Sequence, residues 1–71
     1  MSRTDDSPVA FDLVYSPDEN GFYTELVSRE GKTLHVTELR DTELEAVNDA
    51  RSWALENGAT RPLVQLAETW R

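Results

Sequence analysis

No cysteine occurs anywhere in the 71 residues. Disulfides, thiolate metal sites and cysteine nucleophiles are excluded together, and the lack agrees with a reducing, cytoplasmic setting. Glycine and proline number three each. None of the glycines stands in a phosphate-cradling loop, a dinucleotide-binding turn or a nucleophile elbow. The one histidine is His35. A zinc site takes three or four N, S or O ligands, so a single histidine is a poor anchor. No metal and no other cofactor is expected. No apolar run approaches the ~20 residues that cross a bilayer, so no membrane partner is expected. Met1 to Pro8 is polar and does not read as a secretory leader. It reads as a disordered arm ahead of one domain over residues 9–71.

Positive charge is scarce too. Seven Lys and Arg face fourteen Asp and Glu, a formal net charge of −7. Nucleic-acid surfaces need clustered cations. Here Arg3, Arg29, Lys32, Arg40, Arg51, Arg61 and Arg71 are scattered along the chain, which argues against direct nucleic-acid binding. An acidic surface suits a basic protein partner. Arginine makes up six of the seven cations. That bias fits a salt-rich, halophilic cytoplasm and GC-rich coding equally, and composition does not separate the two. A chain this short buries little surface and has no disulfide to compensate, which favours a homodimer.

The apolar residues carry the fold signal. Val9 to Tyr15 alternates, with Val9, Phe11, Leu13 and Tyr15 on one face and Ala10, Asp12 and Val14 on the other. Ser16 to Gly21 is a dense turn signal, and Asn20-Gly21 suits a left-handed hairpin backbone. Phe22 to Arg29 reads as the return strand, Glu30-Gly31 as a second turn, and Lys32 to Leu39 as a third strand. Thr42-Glu-Leu-Glu45 is a capping box that opens a helix to about Asn57. Leu44, Ala46, Val47, Ala50, Trp53, Ala54 and Leu55 form its broad apolar side, and Gly58 stops it. Pro62 to Trp70 fits a strand, with Val64, Leu66 and Trp70 on one face, or a short helix capped by Thr60; the strand is preferred. The fold class is α+β: an antiparallel three-stranded meander, one amphipathic helix on one face, and a fourth C-terminal strand.

The turn Pro17-Asp18-Glu19-Asn20-Gly21-Phe22-Tyr23, followed by Asp41-Thr42-Glu43-Leu44-Glu45-Ala46, resembles the HicB antitoxin domain. The helix and the Asn57-Gly58-Ala59 and Leu63-Val64 segments also resemble small uncharacterised prokaryotic domains of βββαβ order. The resemblance covers roughly Phe11 to Leu66. It implies the same small fold and a small basic protein as partner. The chain lacks the Pro-Asp-Leu-Pro-Gly stretch of that family, with Val27-Ser28-Arg29-Glu30-Gly31 in its place.

Three functional readings follow. The first is a non-enzymatic interaction module acting as a homodimer, with Val14, Tyr23, Val27 and His35 on the sheet face away from the helix, and Trp70 at the C-terminus, as its interface. The second is a HicB-like regulator that binds and blocks a small basic ribonuclease. The third is a small ligand-binding or catalytic domain, with His35 as base, Glu25 on the neighbouring strand as its orienting partner, and Tyr23 beside them. No residue stands out as catalytic.

Overall fold

A computed structural model describes residues 7–66 and, for the backbone, 69–70. Three antiparallel strands, one helix and two short C-terminal strands make the expected α+β architecture. The order is β1 (Ala10–Ser16), β2 (Gly21–Val27), β3 (Thr33–Val36), α1 (Glu43–Glu56), β4 (Val64–Gln65) and β5 (Thr69–Trp70). The sheet runs β3-β2-β1-β4, with β5 also on β1. β4 and β5 both lie parallel to β1. Val64 pairs with Ala10 and Thr69 with Val14, so the register advances by one residue between the two strands. The C-terminal segment is therefore a strand in two pieces.

Alternation in β1 and β2 decides which residues meet the helix. Phe11 pairs with Leu26, Leu13 with Thr24, and Tyr15 with Phe22. This face is covered by α1. Phe11, Leu13 and Leu26 join Ala46, Ala50 and Ala54 in the buried core, with Phe22, Val47, Trp53, Ala59 and Leu63 against its edges. Each large apolar side chain buried this way contributes roughly 1.5–3 kcal/mol. The three alanines are four residues apart and so lie in line along the helix. With no side chain beyond Cβ, they let the helix backbone approach the sheet. The approach is close enough for the buried Thr24 hydroxyl to reach the Ala46 carbonyl at 3.5 Å, the outer limit of a hydrogen bond.

The apolar side of the helix is narrower than its sequence pattern suggests. Leu44 is 67% exposed and Leu55 76% exposed. Both project beyond the stripe of alanines that packs on β1 and β2. Thr42 caps the helix as expected: its hydroxyl accepts from the Glu45 amide at 3.2 Å. The reciprocal half differs. Glu45 does not return to the Thr42 amide; its Oε1 accepts from the Thr42 hydroxyl at 3.1 Å. One hydroxyl thus serves both bonds. At the other end Gly58 takes φ 94°, the left-handed stop that suits glycine.

The β1–β2 turn follows the sequence closely. In the β1–β2 hairpin the left-handed residue is Asn20, with φ 54°. Gly21 is needed for a different reason: a Cβ there would sit 2.7 Å from the Leu39 side chain and 2.9 Å from the Arg40 carbonyl oxygen. That crowding comes from Phe22 and Arg40, which exchange both backbone hydrogen bonds at 2.7 Å. The expected disordered arm falls mostly on residues 1–6, outside the described residues, but Pro8 is already buried. The chain is tied to the sheet by Val9, whose amide donates to the Val27 carbonyl at 3.0 Å. No helix among the described residues is long and apolar enough to cross a membrane.

Candidate functional site

The sheet separates the residues that the sequence groups around His35. His35 pairs with Leu26, on the helix face, whereas Glu25 pairs with Val36 and Asp12, on the rear face. Tyr23 pairs with Val14, also on the rear face. His35, Glu25 and Tyr23 therefore do not converge, and His35 is not part of the rear-face surface. Its partner is Trp53 of α1: the rings stack with centroids 4.6 Å apart and planes 2° from parallel. The sequence missed this contact because Trp53 and His35 lie on different elements, and only the packing of α1 over β2 brings the helix margin beside β3.

Beside that stack is a shallow cleft of about 340 Å³ that also touches Arg40, Asp49, Ser52 and Glu56. Arg40 closes one side through a two-pronged pair with Asp49: Nε donates to Oδ2 at 2.6 Å and Nη2 to Oδ1 at 3.3 Å. The Asp49 hydrogen bond first, and its charge second, raise the Arg40 guanidinium above its ordinary value. The pair clamps the β3–α1 connection to the middle of the helix. The residues here form a stack and an ion pair rather than a nucleophile with an aligned base. Among the described residues no group of three or more His, Asp or Glu side chains is placed to hold a metal ion.

A second polar contact lies inside the protein. Thr24 and Thr37 are buried, their hydroxyls 2.9 Å apart, and the Thr37 hydroxyl also accepts from the Thr24 amide at 2.9 Å. Strand alternation places Thr37 with Thr33 and His35; the structure carries it under the start of the helix, where its hydroxyl is satisfied by Thr24. Among the described residues no buried side-chain polar atom lacks a partner.

Of the remaining expected interface residues, the rear face holds Val14, Tyr23 and Val27, while Trp70 falls at a helix-face register position. Val14 is fully buried and Val27 nearly so; Tyr23 is half-buried. Trp70 sits across from Tyr15 in the β1–β5 pairing, and its side chain lies outside the described residues. What this face leaves open is different. Asp12 and Glu25 stand directly opposite each other at its centre, both half-buried. Val36 is exposed at one margin, and Val64 and Leu66 at the other. No helix among the described residues packs on this side, because α1 occupies the other. The edges of the sheet are short: β3 has four residues beside an irregular register step at Leu26 and Val27, and β4 and β5 have two each. Short, interrupted edges offer few consecutive backbone groups for pairing with another chain.

No family model, no curated protein and no solved structure matches this chain.

Proposed function

We propose that this chain is a non-enzymatic protein-interaction module whose rear sheet face takes a basic protein surface. The observation that carries the reading is an acidic centre at Asp12, across from Glu25, between exposed apolar margins. A partner that lays an arginine or lysine beside Asp12 gains charge attraction there, while Val36 on one side and Val64 and Leu66 on the other supply apolar contact. The net charge of −7 draws a basic partner toward the chain before contact. A small basic partner is also what the resemblance to HicB antitoxins implies.

A homodimer is the second reading, favoured by the exposed Val36, Val64 and Leu66 on so small a domain. A two-fold arrangement of this face sets acidic centres near one another, so such a dimer forms only as salt screens the repulsion.

Affinity purification from native lysate with the full chain tests the first reading. The expected result is a captured basic protein, lost with Asp12→Lys or Leu66→Ser and retained with Leu44→Ser on the exposed helix side. Capture that ignores the rear-face substitutions refutes it. Sedimentation equilibrium across salt separates the second reading: dimerisation that strengthens with salt and is abolished by Leu66→Ser supports self-association, and a monomer at every salt concentration removes it.

A further inference from the structure

Where α1 stops, the described charged residues that line the two neighbouring clefts are all arginines. The last turns of α1 and the loop into β4 enclose a cleft of about 520 Å³, within the usual range for small-molecule sites. Its floor is apolar: Ala54, Ala59 and Leu63, with Leu55 and Pro62 as walls. Arg51, from the helix, and Arg61, from the loop, stand at its margins, and Thr60 adds a hydroxyl. A second cleft of about 500 Å³ shares Thr60 and Arg61 and adds Arg29. Among the described residues no Asp or Glu lines either cleft, although the chain has fourteen of them.

The three arginines are also unlike Arg40. Arg40 is paired with Asp49 and lies near Glu38. Arg29, Arg51 and Arg61 make no ion pair among the described residues. In so acidic a protein, neutralising a surface arginine with a nearby carboxylate is the easy outcome. Two guanidiniums that line one apolar cleft, with no described carboxylate beside them, can both offer charge-assisted hydrogen bonds to an anion. The apolar floor would desolvate the remainder of the ligand.

We propose that the cleft between the C-terminal end of α1 and the loop into β4 binds a small amphipathic carboxylate, its carboxyl group held by Arg51 and Arg61 and its apolar body on Ala54, Ala59 and Leu63. An inorganic anion fits worse, because it leaves the floor uncovered; an uncharged apolar molecule leaves the arginines unanswered. The site is independent of the rear sheet face and does not rest on the reading of that face.

Phenylpropionate is a suitable probe, with phenylpropanol as its uncharged counterpart and sulfate as the bare anion. The isotope-labelled full chain is titrated with each and followed by backbone amide NMR shifts at about 0.15 M salt. A ligand of this size in an open cleft is expected to bind with Kd on the order of 1 mM. Saturable shifts at Ala54, Ala59 and Leu63 with phenylpropionate support the site. Arg51→Gln and Arg61→Gln should each weaken binding about tenfold, as expected for loss of one charge-assisted hydrogen bond. Arg29→Gln, which alters only the adjoining cleft, should leave it within about twofold on the same ground. All three positions are exposed, and the variants' own spectra report whether they fold. Equal binding of phenylpropanol, equal shifts with sulfate (an adventitious ion only), no saturable shift at the described residues, or unchanged affinity in Arg61→Gln would each overturn the proposal.

Discussion

The two faces of the sheet are built from the same two strands, yet they meet their surroundings in different ways. On the helix face Phe11, Leu13 and Leu26 lie under a stripe of alanines, and the buried hydroxyls of Thr24 and Thr37 satisfy each other beside it. On the rear face Val14 and Val27 are buried, but the middle is acidic and the margins are open. The difference shows where this small chain concentrates its stability. One face carries the fold through close packing, and the other keeps an acidic centre and exposed branched side chains. Interaction surfaces are expected on the second kind of face, because substitutions there need not disturb the first.

The contrast is tested most severely by truncating one residue on each face. Leu26→Ala removes a fully buried side chain from the centre of the helix face and should cost about 2–5 kcal/mol, a large share of a small domain's total. Leu66→Ala, on the rear margin, should cost about 0.5 kcal/mol or less. Urea unfolding followed by circular dichroism measures both, and similar losses at the two positions would erase the distinction between the faces. Thr24→Val sharpens it by separating shape from polarity within the closed face. The isosteric change keeps the volume but leaves the buried Thr37 hydroxyl short of a partner, for an expected loss of about 1–3 kcal/mol. A neutral result would show that close packing, not the hydroxyl pair, holds the sheet to the helix. The smallest effect is at the helix start. Thr42→Ala should lower stability by about 1 kcal/mol, with no change in the rear face; an unchanged denaturation midpoint and slope would remove Thr42 from the capping role.

Much of the fold is legible in the residues because its signals are local. The alternation of Val9 to Tyr15, the Asn20-Gly21 turn, the Thr42 cap and the Gly58 stop each depend on neighbours within a few positions, and each occurs where its pattern points. The strand limits are less legible. Lys32 to Leu39 reads as one strand, but β3 ends at Val36. Beyond it the chain turns under the helix so that Thr37 meets Thr24 and Arg40 meets Phe22. The candidate site is the least legible part. His35, Glu25 and Tyr23 look like neighbours when strand pairing is unknown, and the register puts the first on one face and the other two on the opposite one.

By itself, then, the sequence determined the class of the fold, the start and stop of the helix, the hairpin turn and the excess of negative charge, since composition, period and capping act over a few residues. Tertiary structure alone decided the stacking of His35 on Trp53, the Arg40–Asp49 clamp, the opposition of Asp12 and Glu25, and the gathering of Arg51 and Arg61 on one apolar cleft. Each of those depends on strand register or on where the helix crosses the sheet. A shift of one residue in register turns every side chain of a strand to the other face, so contacts between elements become fixed only when the whole core is packed.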